Sequence, residues 1–132
     1  MKIRQLQPND TKQVIDLWTS SFSRNFSNVL NPGYLNDPSS ITMVVYERNT
    51  IIGVASIHII YKLSRTLGLI EDVAVNKDHR GKGIGKSIVE KLIEIGKQKN
   101  CDKIVLNTSE KNSKFYEKIG FEKNEIQMVI RN

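Results

Sequence analysis

GLIEDVAVNKDHRGKGIGK, residues 68–86, runs from a β-branched apolar segment into glycines at 81, 83 and 85. Directly after it, IGKSIVEKLIEIGKQKN (84–100) places apolar residues at 84, 88, 89, 92, 93, 95 and 96, a stripe that suits a helix packed on a sheet. Strand, glycine-rich turn and helix together make an anion site. Glycines remove the Cβ atoms that would hold an anion off the backbone, and a helix start adds roughly half a positive charge. Arg80, Lys82 and Lys86 add the same sign.

Two phosphate loops are excluded by counting. Gly85-Lys86-Ser87 ends like a nucleotide-triphosphate loop, but the glycine required five places earlier falls on Arg80. The dinucleotide fingerprint that would start Gly81-x-Gly83 needs its third glycine where the chain has Lys86.

Outward from the loop, KIRQL (2–6) predicts an opening strand, and Asn9 or Asp10 a cap for a helix over 11–22. Residues 23–40, rich in Asn, Ser, Pro and Gly, predict a loop with at most a short helix. ITMVVYE and IIGVASIHIIY, separated by RNT, predict a hairpin, and LGLIEDVAV (67–75) a further strand with an acidic pair in its middle. DKIVLNT (102–108) predicts a strand, NSKFYEKIG (112–120) a helix stopped by Gly120, and EIQMVIR (125–131) a closing strand. With no repeats and no linker, one mixed α/β domain over 1–132 is the economical reading.

Composition narrows the classes of function. At 132 residues, 39% hydrophobic and 26% charged, the chain has the makeup of a soluble globular domain. No apolar run approaches the roughly 20 residues a membrane helix needs, and MKIRQLQPND lacks a signal-peptide core. One cysteine, Cys101, forms no intramolecular disulfide, and two histidines make a poor zinc set, so a cytoplasmic, metal-free protein is expected. The net charge of +6 favours anionic partners. Glutamates interleave with the lysines and no basic aromatic stripe is present, which favours phosphorylated small molecules over nucleic acid.

Arg80-Gly81-x-Gly83-x-Gly85 resembles the pyrophosphate-binding motif of the GNAT superfamily of acetyl-CoA-dependent N-acetyltransferases. Within it, residues 68–86, NCDKIVLNTSEKNSKFYEKIGF (100–121) and IQMVIR (126–131) are similar to glucosamine 6-phosphate N-acetyltransferases. The resemblance implies the GNAT fold, a mixed and mostly antiparallel sheet flanked by helices. It also implies acetyl transfer from acetyl-CoA to the 2-amine of glucosamine 6-phosphate, a step of UDP-N-acetylglucosamine biosynthesis, by a homodimer without metal. Its coenzyme site would use main-chain atoms of Val73, Ala74 and Val75, the loop Arg80, Gly81, Lys82, Gly83, Ile84, Gly85 and Lys86, and Asn112 and Tyr116.

The same resemblance makes Tyr116 the proton donor to the leaving thiolate and Asn107 the partner of the amine. The family usually has an acidic residue at the position of Asn107. A role through its backbone carbonyl survives that change; a carboxylate base would instead have to be Glu71 or Asp72. Thr108 likewise replaces a common cysteine. Sugar contacts are expected from Glu71, Asp72 and Val73, phosphate contacts from Arg131, and further contacts from Asp102 and Lys103 to a neighbouring subunit's site and from Lys62 and Arg65 in a shortened loop. His58 is expected to pack in a strand and His79 to sit at the loop edge, neither catalytic. The rivals are a GNAT enzyme for another amine or a protein N-terminus, and a non-catalytic acetyl-CoA-binding module.

Overall fold

The computed structural model describes residues 1–23, 26 and 31–132. Its elements, in chain order, are β1 (Lys2–Gln5), α1 (Thr11–Phe22), α2 (Pro32–Leu35), β2 (Ser40–Glu47), β3 (Thr50–Tyr61), β4 (Thr66–Val75), α3 (Ile84–Gln98), β5 (Lys103–Leu106) and α4 (Glu110–Ile119). Single 3-10 turns precede α1 at Pro8–Asp10 and follow β4 at Lys77–His79. The expected short helix within 23–40 is α2; positions 24, 25 and 27–30 of that loop lie outside the described residues.

The five strands lie in the order β1-β2-β3-β4-β5. The first four pair antiparallel and β5 joins β4 in parallel, the mixed, mostly antiparallel sheet that was expected. The parallel pair needs a crossover, and α3 supplies it.

Alternation along the strands decides what each face buries. Met43, Val45, Ala55, Ile57, Ile59 and Ile70 meet Ile84, Ile88, Val89 and Leu92 of α3. On the other face Val44, Val54 and Ala74 meet Val14 and Leu17 of α1. Ile88, Val89 and Leu92 have no exposed surface, so each contributes about 1.5–3 kcal/mol of burial.

Asp10 stands where a cap of α1 was expected, but its side chain makes no cap bond to the helix. Its carboxylate instead accepts from Arg4 at 2.6 and 2.9 Å and from the Gln7 amide at 2.7 Å, tying β1 to the turn before α1.

The closing strand expected at 125–131 does not form. A strand exists only where a neighbour takes its hydrogen bonds, and within this chain the segment after Phe121 pairs with no described strand. Ile126, Met128 and Ile130, the apolar side of the alternating pattern, remain 89%, 91% and 93% exposed. β5 correspondingly ends the sheet with a free edge among the described strands.

Candidate active site

β4 organises the site by losing its partners. Its pairing with β5 runs from Leu67–Lys103 to Ile70–Leu106 and then stops. On the other side its register with β3 shifts between Val54 and Ser56. Asp72, in that interval, has φ of +57°, a left-handed conformation that costs a non-glycine residue about 1–2 kcal/mol. The Trp18 indole holds it there, donating to the Asp72 carbonyl at 3.2 Å. Beyond this bulge the chain from Val73 to Val75 pairs with no described strand on its β5 side, so a wedge opens between β4 and the end of β5.

The glycine loop lies at the end of that wedge. Gly81 and Gly83 have φ of +78° and +81°, and a Cβ built on either meets nothing within 4 Å. Backbone conformation demands glycine there, and the space beside it is open enough for an anion. Gly85 has another reason: its Cβ would stand 3.1 Å from the Phe115 ring, so a bare backbone lets α3 approach α4. Arg80 folds back, its Nε donating to the Val75 carbonyl at 3.2 Å, which joins the loop to β4. The first amides of α3 have no acceptor within the helix. Lys82 and Lys86 are exposed beside them.

Tyr116, on α4, sits edge-on to Phe115 and Phe121, with ring centroids 4.9 and 6.0 Å away. Burial pushes its phenol above the ordinary value, so it stays protonated. With Lys62, Lys103 and Asn107 it lines an open groove of about 1150 Å³ along β5 and the segment after α4. Asn112 lies exposed in the first turn of α4, its amide bonded to Ser109.

The acidic pair belongs to the α1 side of the sheet. Glu71 is opposite Ser56, and burial first, then Asp72, pushes its carboxyl up, while His58 opposes the shift. Asp72 is exposed. Around them lies a polar patch that the apolar reading of β2 and β3 does not foretell. Tyr34 donates to Thr42, whose hydroxyl shares a 2.6 Å bond with Ser56. His58 Nδ1 lies 3.0 Å from the Ser40 hydroxyl, and Tyr34 packs edge-on to the imidazole.

Other expected site residues are elsewhere. Asp102 clasps the start of β4, its carboxylate accepting from Thr66 N and its own amide donating to Thr66 O, both at 2.8 Å. Arg65 belongs to the β3–β4 turn, where its carbonyl accepts from Lys62 N. Arg131 is exposed near the chain end, not gathered with the groove residues. The Trp18 bond to Asp72 was not foreseen from the helix expected over 11–22, and His58, which lies in β3 as expected, joins a polar patch that was not. Polar residues at 56 and 58 in an apolar run were the available signal. Among the described residues, no group of three His, Cys, Asp or Glu is arranged to hold a metal.

A parallel strand added beside a bulged β4, with a glycine loop opening α3 below the gap, defines a class, and the acetyltransferase (GNAT) family profile matches residues 8–121. The chain belongs to this acetyltransferase family. Within it, the chain is 46% identical over 83 residues to a glucosamine 6-phosphate N-acetyltransferase of Trypanosoma brucei brucei, covering 61% of this chain and 56% of that protein. It is 44% identical over 93 residues to glucosamine 6-phosphate N-acetyltransferase 1 of Dictyostelium discoideum, covering 68% of this chain and 59% of the relative. Each match thus spans less than two thirds of the relative's own length. The crystal structure of the glucosamine-6-phosphate N-acetyltransferase from Arabidopsis thaliana superposes with a TM-score of 0.86 at 29% identity, covering 98% of this chain and 97% of that one.

Proposed function

We propose that this chain transfers acetyl from acetyl-CoA to the 2-amine of glucosamine 6-phosphate, a step toward UDP-N-acetylglucosamine, acting as one domain over 1–132 in the cytoplasm. The observation that carries the proposal is the wedge beyond the Asp72 bulge, bounded by an open glycine loop. The amino-sugar acceptor is supported by the relatives' activity and by the +6 charge. No helix among the described residues is long and apolar enough to cross a membrane.

In this reading, main-chain amides from Gly81 to Lys86 and the side chains of Arg80, Lys82 and Lys86 hold the pyrophosphate, with Asn112 beside them. The Val73–Val75 backbone accepts the pantetheine and turns N–H groups toward the acetyl carbonyl. One such donor on a developing oxyanion is worth about 3 kcal/mol. Asn107 orients the amine through its backbone carbonyl, and the neutral nitrogen attacks the thioester directly. As the C–S bond breaks, the Tyr116 hydroxyl donates to the departing sulfur. A thiol near 8.5 and a phenol near 10 differ by about 2 kcal/mol, and burial of Tyr116 widens that gap, so its proton moves late.

Glu71, Asp72 and Val73 contact the sugar, with Lys62 and Lys103 as cations lining the groove and Arg65 as a further cation from the β3–β4 turn. The Arg131 guanidinium binds the phosphate, matching two donors to two oxygens. For Arg131 and Asp102 to act, a second copy is needed. The exposed stripe Ile126, Met128, Ile130 and the free β5 edge support a homodimer in which this segment is covered by the partner.

The test follows CoA thiol release with glucosamine 6-phosphate and with unphosphorylated glucosamine. Turnover with the phosphorylated sugar alone supports reaction and clamp together. Turnover only with an unphosphorylated amine removes the acceptor and leaves the acetyltransferase.

A further inference from the structure

The Asp37–Ser40–His58 chain settles which imidazole nitrogen carries the proton in neutral His58. Asp37 accepts from the Ser39 amide at 2.8 Å and from the Ser40 hydroxyl at 3.0 Å, and these bonds hold its carboxyl below the usual range. An ionised carboxylate only accepts, so the single hydrogen of Ser40 is committed to Asp37. At the 3.0 Å contact between Ser40 and His58, Nδ1 must therefore be the donor. Nε2 is left with its lone pair.

Sheet register places that ring beside the acidic pair. Ser40 is opposite His58 on one side of β3, while Ser56 is opposite Glu71 on the other. Positions 56 and 58 share a face, so His58 is the diagonal neighbour of Glu71. A ring whose Nδ1 is held toward β2 turns Nε2 away from β2, toward the β4 side. Among the described residues, three titratable groups face it: Tyr34 from α2, Asp37 from the turn before β2, and Glu71 from β4, with Asp72 next to Glu71. Tyr34 is held neutral by burial, which leaves carboxylates as the charged neighbours among these groups.

We propose that His58, held by Ser40 and Asp37, is a positioning residue that carries away the proton Glu71 takes from the acceptor's ammonium. This rests on the acetyl-transfer reading above. The ammonium N–H bond breaks, its electron pair stays on nitrogen, and the proton passes to a Glu71 oxygen and on to His58 Nε2. Glu71 returns to carboxylate, and the imidazolium stands between Glu71 and, through Ser40, Asp37. His58 is half-buried, so it releases the proton to water.

His58→Gln keeps a side chain that hydrogen-bonds but removes the proton carrier. Its kcat near pH 7 should fall roughly tenfold to a hundredfold, with KM for the sugar little changed. The deficit should shrink as pH rises past the amine's own pKa, where the nucleophile is already neutral. Added imidazole should restore turnover in His58→Ala. A deficit constant with pH, or an unchanged kcat, overturns the relay. Failure of the wild-type chain to acetylate the sugar overturns the acceptor reading instead. The relay then answers to nitrogen-15 shifts of the free protein: a proton on Nδ1 supports it, and a proton on Nε2 in the neutral ring overturns it, with no turnover needed.

Discussion

Trp18, on α1, donates its indole N–H to the carbonyl of Asp72, the one β4 residue with positive φ. A helix on one face of the sheet thereby fastens the bulge that opens the other side of β4. Trp18→Phe retains the ring's packing and loses only this bond. Stability should drop by about 1 kcal/mol, the net worth of a typical hydrogen bond. A larger fractional loss in kcat than in coenzyme affinity is expected, because in the proposed mechanism the bulge aims the Val73–Val75 backbone. Thermal melts and thiol-release kinetics check both, and unaltered kinetics would detach Trp18 from the site.

The glycine loop separates strain from recognition. Gly81→Ala and Gly83→Ala each force a Cβ into left-handed backbone, costing about 1–2 kcal/mol, although no neighbouring atom obstructs the new methyl. If the open space receives the pyrophosphate, the same methyl weakens acetyl-CoA binding beyond the stability change. Calorimetric titration beside a melt distinguishes these. An alanine variant that binds the coenzyme as well as wild type would contradict the assignment of the loop.

Tyr116→Phe should lower turnover while leaving coenzyme affinity nearly intact, since the ring contacts with Phe115 and Phe121 survive. The pH profile adds a sign. Burial raises the phenol above its ordinary value of about 10, so its hydrogen persists throughout neutral and mildly alkaline assays. An alkaline loss of activity below that value must come from another group, and it should be equally present in Tyr116→Phe.

Asp10 makes the acid side of the stability curve. Its carboxyl is held below the ordinary value chiefly by its bond from Arg4, then by the Gln7 amide, against the effect of burial. A depressed folded pKa gives stability that is complete above the unfolded value, near 3.9, and lost as pH falls through the folded one. Asp10→Asn should therefore cost about 2 kcal/mol in urea unfolding at pH 7. The difference from wild type should narrow below pH 4. A gap that stays constant into strong acid would mean that charge is not what Asp10 contributes.

Deleting residues 125–132 tests the proposed homodimer. Within one chain this segment buries little, since Ile126, Met128 and Ile130 stay exposed, so its loss should leave the subunit folded. Sedimentation should shift from dimer to monomer, and sugar turnover should fall with it. A truncated chain that stays dimeric would place the interface elsewhere.

Most of the fold was legible because its signals are local. The apolar stripe of 84–100 reports α3 to within two residues of its end at Gln98. Gly120 stops α4 with φ of +121°, and the RNT hairpin joins β2 to β3. The expectation for 125–131 had the right alternation but not the missing ingredient, a neighbouring strand. Asp10 was read as a cap because that is the common use of Asp before a helix, yet the bidentate Arg4 guanidinium competes better for its oxygens.

By itself the sequence determined the glycine loop, the phenol on α4, the acidic interruption of β4 and the family they jointly resemble. Each of the first three is written in fewer than about twenty consecutive residues, where steric and periodic rules act directly. Tertiary structure alone decided that Trp18 fastens Asp72, that β4 parts from β5 after Ile70, and that Ser40, His58 and Glu71 share one face. Such relations depend on strand register, and a slip of one residue would turn His58 into the apolar layer beneath α3. No local pattern carries that information, because register is chosen by what the whole sheet buries.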